Sequence, residues 1–257
     1  MLSAERHELI LRLLRRSRFA TVSEISRAAH SSAATIRRDL RRLEEAGLLR
    51  RIRGGAEMAG GLKVETGEDG ELPLEYRKGI LIEKKRFIAK AAAALCEDGE
   101  TIMIDGGSTT FQMVEFLRER ELRIITNSFA IAAALVPRSR CTLILSGGVV
   151  RMDSQLVLDP FGGDMFVNYS ASRLFMGAFG IDETGATNND SLLITTERAM
   201  IQRARELIML VDSSKFGRRG SLFLCGFNRI GTVITDGGVS QSYREMLASQ
   251  RVRVIVA

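Results

Sequence analysis

The residues best suited to chemistry form five short polar strings, each directly after an apolar run. The first is Asp105-Gly106-Gly107-Ser108-Thr109-Thr110. Glycines let a backbone approach an anion, and the three hydroxyls add donors. A helix starting here would aim free N–H groups at the same point. The string is neither a dinucleotide fingerprint nor a Walker loop, since no lysine follows the glycines. It reads as a phosphate cradle, with an ordinary glycine-rich turn as the plain alternative. The other strings are Thr126-Asn127-Ser128, Gly147-Gly148 with Arg151 close behind, Gly177, and Asp212-Ser213-Ser214-Lys215. Lys215 can neutralise a phosphate or hold a sugar oxygen, and Asp105 and Asp212 can accept sugar hydroxyls. Each also has a duller explanation, because strand-end aspartates cap helices and lysines face water. Ligands of open parallel sheets bind beyond the carboxyl ends of the strands. Five such strings on one rim would make a binding site.

A second chemistry is concentrated at the start of the chain. Residues 1–58 hold 13 arginines, no lysine and seven acids, a surplus equal to the net charge of +6 on all 257 residues. Charge segregated on a domain-sized segment points to a polyanion partner, and a solubilising basic face is the plainer alternative. Three helices fit residues 1–47. The first has Leu9, Ile10, Leu13 and Leu14 on its apolar side, the second Val22, Ile25 and Ala29, and the third Ile36, Leu40 and Leu43. Ser32 is a natural N-cap for the third and Gly47 a natural stop. The short turn His30-Ser31-Ser32 gives a helix-turn-helix spacing. The exposed side of the third helix then carries Arg37, Arg38, Arg41 and Arg42, with Ser31, Ser32, Ala34 and Thr35 at its leading end. That end is what such a helix places in a major groove, where arginine reads guanine or grips phosphate. Asp39 is expected to orient the arginines around it. Leu48–Gly55, with Arg51 and Arg53, reads as a basic wing of strand and glycine turn.

The elements that must position the five strings come later. Residues 59–74 alternate glycines and acids up to Pro73 and read as a linker. Strands are predicted at 101–105, 124–126, 142–146, 174–177, 207–212, 233–235 and 252–256. Helices are predicted at 82–96, 109–120, 129–136, 195–205 and 240–249. This alternation argues for a mostly parallel α/β sheet covered on both faces. The chain therefore divides into a winged helix-turn-helix (1–58), a linker (59–74) and an α/β domain (75–257). No apolar run reaches the length of a membrane span, and the first residues mix charges of both signs, unlike a signal peptide. Cys96, Cys141 and Cys225 are odd in number and far apart, so neither a disulfide framework nor a zinc site is expected. A cytoplasmic protein with no metal, cofactor or membrane contact is the expectation.

Thr35-Ile36-Arg37-Arg38-Asp39-Leu40, Leu43-Glu44, Gly47-Leu48-Leu49 and Arg53-Gly54-Gly55-Ala56 closely resemble the helix-turn-helix of DeoR-type bacterial transcriptional regulators. The resemblance continues through Asp105–Thr110, Thr126-Asn127-Ser128, Gly147-Gly148, Gly177 with Gly180-Ile181-Asp182, and Asp212–Gly217. Together these cover nearly the whole chain. Residues 107–111 and 212–223 look most like the L-ascorbate utilisation regulator branch. Two departures stand out. Many members have Ser-Gly-Thr where this chain has Gly106-Gly107-Ser108, and Glu-Ala where it has Leu193-Ile194. The resemblance implies a sensor domain similar to ribose-5-phosphate isomerase-like folds, responding to a phosphorylated sugar. It implies double-stranded operator DNA and a sugar-phosphate effector as partners, and a homodimer or homotetramer. The expected function is a repressor of a sugar-catabolic operon. The alternative is a sugar-phosphate isomerase-like enzyme with an appended basic domain, using Asp105 as base and Lys215 as electrophilic helper.

Overall fold

A computed structural model describes residues 3–17, 19–52, 54–57, 73–159 and 165–257. They fall into two compact units; the second comprises Pro73–Lys78 and Ile82–Ala257, and Gly79–Leu81 group with the first. The first contains α1 (Ser3–Ser17), α2 (Val22–Ala28) and α3 (Ala33–Glu45), with β1 (Phe19–Thr21), β2 (Arg50–Ile52) and β3 (Gly55–Glu57). Local chemistry sets the helix starts. The Thr21 hydroxyl accepts the Glu24 N–H at 3.1 Å while the Glu24 carboxylate accepts the Thr21 N–H at 2.8 Å, a reciprocal cap. The Ser32 hydroxyl accepts the Thr35 N–H at 3.2 Å, the cap predicted for it. Ile10, Leu14, Ile25, Ile36, Leu40 and Leu43 are buried together. The wing has a strand that the sequence pattern did not suggest: β1 joins it to give the order β1-β3-β2. Gly55 permits this, since a Cβ there would lie 2.3 Å from the Ala20 carbonyl oxygen.

Asp39 corrects an expectation. It follows Ile36 by three residues and precedes Leu40, so it lies on the buried side of α3, 1 % exposed. Its carboxylate accepts Arg6 Nε at 2.7 Å and contacts His7 Nε2 at 3.1 Å. It therefore ties α3 to α1 and does not orient the arginines of its own helix. Burial pushes its pKa up, but the bonds from Arg6 and His7 outweigh this and hold it below the usual carboxylate range.

The second unit opens with α4 (Leu74–Gly79) and α5 (Ile82–Ala93). A seven-stranded sheet follows, built from β4 (Thr101–Ile104), β5 (Arg123–Thr126), β6 (Thr142–Leu145), β9 (Ala171–Met176), β12 (Ala204–Leu210), β14 (Ile230–Thr235) and β15 (Arg253–Val256). Its order is β15-β14-β12-β9-β4-β5-β6, and every neighbouring pair is parallel. These are the seven strands the sequence predicts. Alternate residues serve opposite faces. Ile102, Ile104, Ile124, Phe175, Ile208, Leu210 and Ile234 pack with Ile88 and Ala92 of α5, Leu117 of α6 (Val114–Leu117) and Leu135 of α7 (Phe129–Leu135). Met103, Ile125, Leu174, Met176, Leu207, Met209 and Val233 pack with Met200 and Ile201 of α8 (Ser191–Arg203) and Leu247 of α9 (Gln241–Ser249).

Two small sheets were not foreseen. One is the hairpin of β7 (Val149–Arg151) with β8 (Leu156–Leu158). The other is β10 (Gly180–Asp182), β11 (Gly185–Asn188) and β13 (Leu222–Cys225). Strands of three or four residues carry too little alternation to read. α8 begins earlier than expected because the Asp190 carboxylate accepts the N–H groups of Leu192 and Leu193, each at 3.0 Å. The helix expected at 109–120 is instead a 3-10 turn, Thr110–Met113, followed by the single turn of α6. Pro73 and Leu74, expected in the linker, belong to the second unit. Leu74 is buried and its N–H bonds the Asp153 carbonyl at 2.8 Å. The rest of the expected linker lies outside the described residues, as does the wing residue Arg53. Cys96 and Cys225 are buried, and burial pushes both thiols up to about 12. No helix among the described residues is long and apolar enough to cross a membrane.

Candidate functional site

In the first unit the amphipathic period of α3 sorts its residues cleanly. Ile36, Asp39, Leu40 and Leu43 are buried, whereas Ala34, Arg37, Arg38, Arg41 and Arg42 are exposed. Arg37, Arg38, Arg41 and Arg42 have no ion pair among the described residues. Four unspent guanidinium groups on one side of a helix are a surface for phosphates and base edges. The leading end is held rigidly. The Ser31 hydroxyl donates to the Ala29 carbonyl at 3.0 Å, and Ser32 and Thr35 share a 2.9 Å hydroxyl contact beside the cap. The Arg51 side chain is paired with Glu44, and its N–H bonds the same carboxylate at 2.8 Å. It braces the wing against α3.

In the second unit the parallel sheet brings the five strings to the carboxyl ends of β4, β5, β6, β9 and β12. They do not share one job. Asp105 is 1 % exposed and accepts Asn127 Nδ2 at 2.7 Å, while Asn127 Oδ1 accepts the Gly106 N–H at 2.9 Å. Burial pushes Asp105 up to about 7, with the bonds from Asn127 and Gly106 and the charge of Arg77 acting the other way. The Thr126 hydroxyl, fully buried, donates to the Ile104 carbonyl at 2.6 Å and accepts the Ser128 N–H at 3.0 Å. Asp105, Thr126 and Asn127 thus hold the β4 and β5 loops together. Asp212 is likewise 2 % exposed and caps its own turn, bonding the Ser214 N–H at 2.9 Å and hydroxyl at 2.5 Å.

The glycines divide in the same way. A Cβ on Gly106 would sit 2.0 Å from Leu156 Cδ2, so this glycine admits the β7–β8 hairpin to the loop. Gly148 has φ +132°, and a Cβ there would lie 2.4 Å from the Leu158 carbonyl oxygen; it opens the hairpin. Gly147 and Gly177 meet nothing closer than 3.4 and 4.0 Å, and Gly107 only the Thr110 hydroxyl at 3.2 Å. Arg151 is paired with Asp190 and, at 3.2 Å, with Asp153, so its charge is already balanced and it fastens the hairpin to the start of α8. Thr110 is fully buried and its hydroxyl donates to the Gly107 carbonyl at 3.1 Å. That short-range bond, with the Phe111 N–H on the same carbonyl at 2.9 Å, tightens the segment where a longer helix was expected.

What remains open is the Ser108-Thr109 pair. The hydroxyls of Ser108 and Thr109 form no hydrogen bond among the described residues, nor do their backbone N–H groups. Lys215 closes a 3-10 turn, Ser213–Lys215, with its ammonium 5.8 Å from the Phe179 ring centre. The structure adds residues that the sequence reading passed over. Lys84, at the start of α5, reaches Asp236 at 2.9 Å and the Ser213 hydroxyl at 3.3 Å. Asp236 also accepts the Ser213 N–H at 2.6 Å and the Gly238 N–H at 2.9 Å. Asp236 was findable, since it follows a predicted strand as Asp105 and Asp212 do; Lys84 and Arg77 carried no such signal.

Residues 81–237 match the model of the DeoR C terminal sensor domain, and residues 6–60 that of the DeoR-like helix-turn-helix domain. The HTH-type transcriptional regulator UlaR of Shigella dysenteriae is 29% identical over 255 residues, covering 99% of each chain. A protein of the same name from Escherichia coli matches to the same extent, 29% over 255 residues. Among solved structures, ribose 5-phosphate isomerase A from Methanocaldococcus jannaschii shares 22% identity over 51% of this chain and 53% of its own, with a TM-score of 0.38.

Proposed function

We propose that this chain, which belongs to the DeoR family of DNA-binding transcriptional regulators with a sugar-sensor domain, is a repressor of a sugar-catabolic operon released by a phosphorylated sugar. One observation carries the effector assignment. On a rim where most polar groups are spent on the scaffold, Ser108 and Thr109 keep both hydroxyls and N–H groups unspent. A phosphate dianion satisfies four such donors at once, and Lys215, after β12, brings a positive charge to the same rim. Operator DNA is read by the exposed face of α3, with Ser31, Ser32, Ala34 and Thr35 leading and Arg37, Arg38 and Arg41 behind. Helix-turn-helix readers commonly meet two half-sites with a two-fold protein, so the working form is a homodimer or homotetramer in the cytoplasm. An isomerase reading is disfavoured by Asp105, its candidate base, which is sealed and locked to Asn127.

The test is a gel-shift titration of the full-length protein on DNA upstream of its neighbouring genes. Phosphorylated sugars should release the complex and the same sugars without phosphate should not. Thr109→Val should weaken effector binding by about 1–3 kcal/mol by calorimetry, since it leaves a charged oxygen unpaired. Equal responses to free and phosphorylated sugar would refute the assignment.

A further inference from the structure

We propose that Arg218, held on the ring of Phe179, selects effectors that carry a second anionic group besides the phosphate, the chemistry of phosphorylated sugar acids and sugar bisphosphates. The inference rests on the rim being the sugar-phosphate site. β9 lies between β4 and β12 in the sheet, so the loop after it, Gly177–Phe179, stands between the Ser108–Thr109 loop and the Lys215 turn. The Phe179 ring carries the Arg218 guanidinium at 4.5 Å from its centre and the Lys215 ammonium at 5.8 Å. A guanidinium over a ring face keeps N–H donors for a further partner.

The segment bearing Arg218 is built to hold it there. Phe216 bridges to Ile181, and the Gly217 N–H donates to the Ile181 carbonyl at 2.8 Å. Gly217 takes φ +75°, a conformation that favours glycine. The backbone of Arg218 lies directly against Gly180, where a Cβ would come within 2.1 Å of the Arg218 carbonyl oxygen. Among the described residues Arg218 has no carboxylate partner, whereas Arg219 pairs with Asp182 at 3.4 Å. Of the carboxylates flanking this segment, Asp182 is engaged by Thr184 and Asp212 by Ser214, and the charge of Glu183 acts on Tyr243. A fixed, unspent guanidinium matches a carboxylate or phosphate in a two-pronged hydrogen bond. With the first phosphate on Ser108 and Thr109, the second anion falls at the Phe179 end of the ligand.

Calorimetry on the full-length protein with two matched pairs tests this: glucose 6-phosphate against 6-phosphogluconate, and fructose 6-phosphate against fructose 1,6-bisphosphate. In at least one pair the doubly anionic member should bind about tenfold tighter or more. A gain in the first pair marks the second group as a carboxylate, and in the second pair as a phosphate. Arg218→Gln should bring that ratio close to one. Arg219→Gln should leave it as it was, because that charge is already partnered. Phe179→Leu should lower it in part. Tight binding of all four ligands without preference, or a preference that survives Arg218→Gln, overturns the role of Arg218 alone. If no phosphorylated ligand binds better than its unphosphorylated sugar, the reading of the rim falls as well.

Discussion

The α3 face and the β-strand rim are both lined with polar residues after apolar ones, yet they spend those residues differently. On α3 the arginines that face solvent are unspent: Arg37, Arg38, Arg41 and Arg42 have no ion pair among the described residues. On the rim, Asp105, Thr126, Asn127, Arg151 and Asp212 are all engaged inside the domain. The cause is geometric. A helix separates its faces by period, so a polar residue away from the apolar stripe has only solvent or a partner to meet. Strand ends converge, and their loops must satisfy one another's N–H and C=O groups before any ligand arrives.

The largest effect that bears on this contrast belongs to α3. Arg37→Ala with Arg38→Ala should cost about 2–6 kcal/mol of operator affinity, if each lost base contact is worth about 1–3 kcal/mol. Fluorescence anisotropy over a salt series would measure it, and effector binding should be unchanged. A double variant that binds as the parent does would show that the unspent arginines are mere solvation.

The next effect concerns the buried polar residue of α3, which behaves like the rim. Asp39→Ala leaves Arg6 and His7 facing an apolar gap. The cost should be about 2–4 kcal/mol of stability in the first unit, somewhat below a fully sealed pair because Arg6 and His7 are 13% and 16% exposed. Urea denaturation followed by helix signal would report it. A loss below about 1 kcal/mol would place Asp39 with ordinary surface pairs.

These two variants also mark what was legible in the chain. Ile36, Leu40 and Leu43 with the arginines between them revealed the helix and its exposed face, because period and charge agree. The seven strands were legible because buried parallel strands are apolar without a break. Asp39 was misread because its arginine partner comes from α1, 33 residues away, and no local pattern encodes that pairing. The bonds of Thr126 and Asn127 to the neighbouring strand and loop were illegible for the same reason. A polar residue at a strand end looks identical whether it faces a ligand or the loop next door. The β7–β8 hairpin, which decides that Gly106 must be glycine, was too short to show a period.

A third effect depends on pH and separates the two buried aspartates. Asp105 is pushed up to about 7 by burial, above its unfolded value, so its folded form takes up a proton that the unfolded chain has already lost. Its destabilising effect is absent well below the unfolded pKa. It grows as pH rises from there to about 7 and is complete above that. Asp105→Asn, which keeps an oxygen for Asn127, should flatten this slope. The variant should gain on the order of 4 kcal/mol relative to the parent at pH 8 compared with acid. Asp39 has the opposite sign, since its folded pKa is lowered: its contribution is present above the unfolded value and fades as pH falls through the folded one. Parallel urea series at several pH values on the two single variants would separate these slopes. Equal slopes would mean that Asp105 is not sealed in solution.

The smallest effect comes from a residue that looks like its neighbours in sequence and differs in its surroundings. Arg51 sits in the basic wing, and composition alone would group it with Arg37. Its side chain is 41% exposed and paired with Glu44, whose carboxylate also accepts the Arg51 N–H. Those bonds hold the Glu44 carboxyl below its usual range, the backbone bond most of all. To grip a phosphate, Arg51 must either leave Glu44 or bring that negative charge close to the DNA. Either route offsets most of the gain from one phosphate contact. Arg51→Ala should therefore change operator affinity by less than about 1 kcal/mol, with little change in the salt slope. Glu44→Gln gives the complementary measurement. It frees the guanidinium without moving the wing's backbone far, so operator binding should tighten and the salt slope should steepen by up to about one phosphate contact. If Arg51→Ala instead weakens binding as much as the change at Arg37 does, the pair with Glu44 opens on DNA. Partnering in the free protein would then no longer distinguish bracing arginines from reading ones.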